Sequence, residues 1–197
     1  MANLKGAKPT LRPSATAIAD RAPLTLRAAS PDDLTAIMAI ERRPGFERQV
    51  GRSEEAEHRA MLANPSFAYR LGVGASGAVE AFAILSGLGD PHRNLYLKRV
   101  AARRPGEGVG TAFLSLVVDE AFRRLGAERF HLDCFADNAR AQRVYAKLGF
   151  TRDGTLRQAY RLPDGTRTDL TLMALLKSEW EGRQTASAPF PLNFKYI

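Results

Sequence analysis

Asn138-Ala139-Arg140-Ala141-Gln142-Arg143-Val144-Tyr145-Ala146-Lys147-Leu148-Gly149-Phe150 follows the short apolar run Phe130-His131-Leu132-Asp133-Cys134-Phe135. The run reads as a strand and the stretch after it as a helix, with Asn at its start and Gly149 as its cap. Seven residues are about two helical turns, so Asn138 and Tyr145 share one face. Upstream, Pro105-Gly106-Glu107-Gly108-Val109-Gly110-Thr111 lies between another strand, 94–102, and another helix. A strand that runs into a glycine-rich helix start has the shape of a phosphate cradle. The helix start leaves N–H groups free, and the glycines let an anion approach the backbone. The second strand and helix then form a wall for the rest of a long cofactor.

Working outward, the helix after the glycine run carries Phe113, Leu116, Val117, Ala121 and Leu125 at helical spacing, with Gly126 as its cap. Before the glycine run come three strands, 67–73, 79–88 and 94–102, the first two joined by Gly74-Ala75-Ser76-Gly77. In the third the alternation switches after Leu95 and Leu97, which predicts a bulge. Further upstream, 24–27 reads as a first strand. Ser30-Pro31-Asp32-Asp33 opens a helix bearing Leu34, Ile37, Met38 and Glu41 on one side, and a second helix starts at Ser53. Downstream, strands are expected at 150–151, 155–162 and 169–176, with a turn at Pro163-Asp164-Gly165-Thr166. The fold class is therefore α/β: a single mixed, mostly antiparallel sheet flanked by helices. Residues 1–22 read as a flexible arm, 23–180 as the folded domain and 181–197 as a polar tail that ends apolar.

The bulk numbers fit this. The chain has 197 residues, 45% hydrophobic and 25% charged, as in one ordinary globular domain. No apolar stretch is long enough for a membrane helix, and the N-terminus lacks the core of a signal peptide. The single cysteine, Cys134, cannot form an intrachain disulfide, so cytoplasm is the expected compartment. Lys plus Arg total 29 against 21 Asp plus Glu, giving +8, with a pI of about 10.1. That balance favours anionic partners. The charge is spread without a basic stripe, so nucleic acid is not the expected partner, and no His/Cys spacing marks a metal site.

The glycine run taken alone is also compatible with a mere tight turn. It is not a P-loop, because no Gly-Lys-Ser/Thr follows, and its spacing fits a dinucleotide site poorly. Arg103 and Arg104 stand near enough in sequence to add charge-assisted contacts to a phosphate.

Together the two runs resemble the GCN5-related N-acetyltransferase superfamily. Its signature is Arg/Gln-x-x-Gly-x-Gly/Ala after the fourth strand, then Asn-x-x-Ala-x-x-x-Tyr-x-x-x-Gly-Phe after the fifth. Asn138, Ala141, Tyr145, Gly149 and Phe150 meet every spacing of the second motif, whereas Pro105 replaces Arg or Gln at the head of the first. The Pro-Gly-x-Gly-x-Gly form and the chain's end resemble the branch that acetylates ribosomal-protein N-termini. The resemblance implies acetyl-CoA as cofactor and transfer of its acetyl group to a primary amine, either a protein N-terminus or a small molecule. It implies that Gly106, Gly108, Val109, Gly110 and Thr111 hold the pyrophosphate, with Ala141 beside the cofactor. Asn138 would bond the pantetheine arm, Tyr145 would protonate the leaving thiolate, and an N–H near Val100 or Ala101 would polarise the acetyl oxygen.

An amine must lose a proton to attack. Strand 94–102 has no acid, so Asp133, five residues before Asn138, is the candidate base, and an ordinary ion pair with an arginine is its other reading. His131, on the same strand face, is a candidate relay or a structural histidine. Cys134 points away from Asp133 and reads as a small buried hydrophobe. Glu80 and Tyr160 are candidates for the border of the acceptor site. Glu41, Glu47, Glu54 and Glu55 either greet a cationic amine or form a solvated helix face. Two other functions fit the residues less fully: a non-catalytic acyl-CoA binder and a nucleic-acid module. The apolar tail, Phe190 to Ile197, is a candidate surface for a homodimer.

Overall fold

The computed structural model describes residues 24–46, 49–162 and 164–187. The arm 1–22, Glu47 and the apolar tail from Phe190 lie outside the described residues. Seven strands form one sheet: β1 (Thr25–Ala28), β2 (Phe67–Val73), β3 (Val79–Ser86), β4 (Asn94–Ala102), β5 (Arg129–Phe135), β6 (Thr151–Arg161) and β7 (Arg167–Leu176). Their order is β1-β2-β3-β4-β5-β7-β6. Every neighbouring pair is antiparallel except β4 with β5. Five helices accompany them among the described residues: α1 (Leu34–Glu41), α2 (Glu55–Ala63), α3 (Val109–Arg123), α4 (Ala139–Leu148) and α5 (Lys177–Ser187).

The central strand β3 shows how the sheet is covered. Ala81, Ala83 and Leu85 enter one core with Phe113, Val117 and Ala121 of α3, whereas Phe82 and Ile84 enter a second with Leu34, Ile37 and Ile40 of α1. Successive side chains on a strand point to opposite faces, so a nearly continuous apolar run is what a sheet buried on both sides requires. Small residues on the α3 face let that helix approach closely. Gly72 of β2 is part of this approach: a Cβ there would stand 2.6 Å from Phe113 Cδ2.

Several expectations shift at their edges. The N-terminal helix begins as a 3-10 turn, Pro31–Asp33, held by Ser30 N–H donating to Asp33 Oδ2 at 2.7 Å. α2 begins at Glu55 rather than Ser53, because Ser53 is drawn inward, its N–H donating to buried Glu41 Oε1 at 3.2 Å. The last sheet hairpin is longer than its sequence pattern suggests: β6 runs through Gly154, with its register against β7 shifting between Arg152 and Gly154 and between Leu156 and Tyr160. Past Trp180 the polar segment continues as helix, with α5 reaching Ser187. Trp180 anchors the helix by stacking on Phe122 at 5.4 Å, and its indole N–H donates to Asp119 Oδ1 at 3.0 Å. The expected bulge is present. Leu85 pairs with Leu97 and Ile84 with Arg99, which leaves Lys98 as the extra residue on β4.

Replacing Gly72 with alanine forces a methyl into the Phe113 ring and should destabilise the fold by about 1–3 kcal/mol. Equilibrium urea unfolding checks this, and a variant as stable as the parent would show that α3 does not pack against β2 as described.

Candidate active site

β4 and β5 pair over three positions only, Asn94 with Arg129, Leu95 with Phe130 and Tyr96 with His131. Beyond Tyr96 they part. β4 stays paired to β3 as far as Ala102, and β5 stays paired to β7 as far as Phe135. The strands therefore open a wedge whose sides carry main-chain groups with no neighbouring strand, and such groups look for another partner.

The wedge opens into two adjoining cavities. One, of about 390 Å³, runs between the loop 105–108, the start of α3 and the face of α4. The other, of about 350 Å³, lies between the diverging strands and the segment 49–52. Val100, Asn138, Ala141 and Tyr145 line both.

The two helix starts at the first cavity differ. α4 is capped by its own sequence, since Ala141 N–H donates to Asn138 Oδ1 at 3.0 Å. That leaves the side-chain amide N–H₂ of Asn138 as the group able to donate into the cavity. α3 has Gly108 at its N-cap, with no side chain to accept a hydrogen bond. Its first N–H groups, from Val109, Gly110 and Thr111, thus keep no intrahelical acceptor and a partial positive charge. Gly106 (φ +97°) and Gly108 (φ +82°) both adopt left-handed backbone, which an L side chain disfavours. This loop and helix end fit a diphosphate: small, left-handed and rich in unclaimed donors.

Of the expected cofactor residues, Val100, Ala101, Gly106, Gly108, Gly110, Thr111, Asn138, Ala141 and Tyr145 all line this first cavity. Val109 turns its side chain into the core and offers only its N–H. Arg103 and Arg104 do not line it. Arg104 instead pairs with Glu80 Oε2 at 3.2 Å, and Arg103 is tied by its backbone N–H to Glu80 O at 2.7 Å. Glu80 is thereby committed to Arg104 and does not border the acceptor cavity. The cation that does overlook the loop is Arg140, whose Nη2 lies 3.6 Å from where a Cβ on Gly106 would stand. Its place in the first turn of α4, beside Asn138, was the available sequence signal.

Tyr145, Asp133 and Cys134 meet on the wall of the second cavity, with Tyr160 nearby. Tyr145 is only 8% exposed, and burial holds its phenol well above the usual tyrosine range, with Cys134 and Asp133 adding to the rise. It therefore keeps its proton at neutral pH, as a proton donor must. Asp133 is held not by an arginine but by Tyr96, whose hydroxyl donates to Oδ2 at 2.7 Å. Burial and this bond likewise raise the Tyr96 phenol. The Tyr96 ring lies against His131 at 5.1 Å, and His131 does not line either cavity. Burial lowers the His131 pKa, and its Nδ1 has no partner. Cys134 is half-buried and reaches the cavity wall, and burial pushes its thiol up to about 11, which makes it a poor nucleophile.

Neither expectation for Glu41, greeting a cationic amine or lying on a solvated helix face, is met. Its side chain is fully buried, accepting from Arg99 Nη1 at 2.8 Å and facing His58 Nε2 at 3.2 Å. His58 Nδ1 lies 2.9 Å from the Tyr69 hydroxyl, whose pKa burial raises to about 12. Glu54 and Glu55 are surface residues paired with Arg42 and Arg59. A buried carboxylate is stable only when paired and hydrogen-bonded, and this network, contributed by α1, α2, β2 and β4, meets that condition.

The family model described as "Acetyltransferase (GNAT) domain" matches residues 23–151 of this chain. The chain belongs to the GNAT family. Among curated GNAT relatives, the L-amino acid N-acetyltransferase AaaT of Escherichia coli is 35% identical over 78 residues, which is 40% of this chain and 48% of that protein. The putative ribosomal N-acetyltransferase YdaF of Bacillus subtilis is 29% identical over 85 residues, 43% of this chain and 46% of that protein. The matches thus span less than half the length of these relatives. Among solved GNAT structures, a chimera of the Vibrio cholerae spermidine N-acetyltransferase SpeG superposes with a TM-score of 0.74 at 19% identity, covering 82% of this chain and all of that one. The Vibrio cholerae enzyme in complex with CoA and spermine gives 0.72 at 20% identity, covering 80% and 98%. These likenesses confirm the mixed sheet flanked by helices as the GNAT fold.

Two outcomes follow from the site's electrostatics. Gly108→Val should strain the left-handed N-cap and cost coenzyme A binding about tenfold or more; calorimetry that finds the parent affinity would remove the loop from the site. Tyr69, Tyr96 and Tyr145 each have a folded pKa raised above the unfolded value of about 10. Their contribution to stability is therefore fully present below pH about 10 and is lost as pH climbs toward the folded values. Thermal melts from pH 7 to 11 should fall steeply only in the last unit, and a flat profile would contradict the buried phenols.

Proposed function

We propose that this GNAT domain is an acetyl-CoA-dependent N-acetyltransferase that moves an acetyl group to a primary amine by direct attack on the thioester. The observation that carries the reading is the pairing of an uncapped helix start, α3, with Tyr145 and Asp133 along one continuous wedge. Acetyl-CoA would supply the acyl group in activated form. The N–H groups of Gly108, Val109, Gly110 and Thr111 bind the diphosphate, with Arg140 as the neighbouring cation. The Asn138 amide and the main chain near Val100 and Ala101 orient the arm, and an N–H of that segment stabilises developing charge on the acyl oxygen. Asp133, fixed by Tyr96, accepts the amine proton. Tyr145 donates its hydroxyl proton to the departing sulfur. A scaffold that merely bound acyl-CoA would not need an acid and a carboxylate on the same wall, which supports catalysis over passive binding.

The curated relatives are named as an L-amino acid N-acetyltransferase and a putative ribosomal N-acetyltransferase, and the solved neighbours as spermidine N-acetyltransferases. A small amine or a peptide N-terminus is the acceptor class that fits. Tyr145→Phe should lower kcat by about 10²-fold or more with little change in the affinity for acetyl-CoA. Thiol-release kinetics with an amine panel measure both. A variant with parental kcat would take Tyr145 out of the mechanism.

A further inference from the structure

We infer that the acceptor amine carries an aromatic group, received on a shelf formed by Phe135 and Tyr160 beside Asp133. The inference rests on the acetyltransferase reading and names the acceptor class at that same site. Residues two apart on a strand share a face and stand about 6–7 Å from each other, so Phe135 follows Asp133 along one side of β5. A ring two carbons from an amine nitrogen held at Asp133 therefore reaches Phe135. On the same face Phe135 pairs with Leu170 of β7, and Leu170 with Leu156 of β6. Phe135, Leu170 and Tyr160 line the same cavity as Asp133 and Tyr145. Leu156 and Tyr160 are 43% and 41% exposed, two of the three large hydrophobic side chains open to solvent among the described residues. The Tyr160 ring meets the Phe135 ring edge to face, with centroids 5.1 Å apart. Two rings at nearly a right angle form a corner in which a third can stack on one and meet the edge of the other.

The backbone of β6 is distorted where it supplies Tyr160. Leu156 pairs with Leu170 and Tyr160 with Thr168, so β6 spends two residues more than β7 between those pairs. Regular pairing would set Gln158 opposite Thr168 and carry Tyr160 on toward the turn. Gln158 instead takes left-handed backbone (φ +50°), which is disfavoured for a residue with a side chain. It is held there from β7: its N–H donates to Asp169 Oδ1 at 2.8 Å, and Arg167 Nη1 donates to its carbonyl at 2.8 Å. Bulges of this kind re-aim a side chain beside a site, and here that side chain is Tyr160. Charge narrows the acceptor further. Asp133 is the one acid among the described residues that line the cavity, and Arg52 and Lys98 line it too. A second ammonium group finds no carboxylate there, so the wall suits a monoamine with a ring rather than a polyamine.

The test measures thiol release from acetyl-CoA with two matched pairs of amines. One pair is phenethylamine and propylamine, and the other is a tripeptide amide beginning with Phe and one beginning with Ala. Spermidine completes the panel. Coenzyme A binding heat, recorded first on the parent and each variant, reports separately on the acetyltransferase reading. The aromatic member of a pair should show a kcat/KM higher by about tenfold or more. Preference within the first pair alone points to a free arylalkylamine, and preference within the second alone to a peptide with an aromatic first residue. Tyr160→Ala should remove the preference through a raised KM for the aromatic amine, whereas Tyr160→Phe keeps the ring and should retain it. Equal rates within both pairs, turnover of none of these amines, or a preference for spermidine would overturn the inference while leaving coenzyme A binding to stand. A Tyr160→Ala variant that still discriminates would overturn it as well.

Discussion

The early end of the β4–β5 pairing is the constraint on which the site depends. Each strand is fully committed on its other side, β4 to β3 and β5 to β7. The extra residue at Lys98 bends β4 within the stretch where the two should have continued together. Each half of the sheet is thus complete in itself, and the seam between them is zipped only from Asn94 to Tyr96. What remains is a cleft with main-chain donors and acceptors on its sides, at the centre of a rigid sheet. A site built on strand backbones is held more firmly than one built on loops alone.

The elements that follow each strand aim different groups at that cleft. β4 leads to a helix that begins without a cap, and β5 leads to one whose Asn138 caps it. The first helix start therefore offers backbone donors to an anion, and the second offers a side-chain amide and, two turns on, a phenol. Burial then sets the chemistry. It keeps Tyr145 protonated and makes Cys134 a weak nucleophile, while the Tyr96 hydroxyl fixes the orientation of the neighbouring Asp133.

Much of this was legible in the residues. Local signals, such as the glycine run, the Asn-to-Tyr spacing and the broken alternation on β4, report on local backbone, and the helices and the bulge followed from them. The contributions of Glu41, Arg99 and Tyr96 were not legible. Glu41 sits 17 residues from His58 and 58 from Arg99, and only the packing of α1 and α2 against the sheet joins them. The same holds for Tyr96 and Asp133, which meet because of the short parallel register. Arg103 and Arg104 look like phosphate ligands by proximity in sequence, but the turn after β4 directs Arg104 to Glu80. The last helix, α5, was not legible because one residue, Trp180, anchors it and most of its other residues are polar.

The most direct test of the account is a two-dimensional amide NMR titration of the full chain with coenzyme A. Saturable shifts are expected for the backbone amides of Gly106, Gly108, Val109, Gly110 and Thr111, for Val100 or Ala101, and for the side-chain amide of Asn138. Absence of shifts, or shifts gathered at the opposite end of β4 around Gly87 to Asn94, would contradict it.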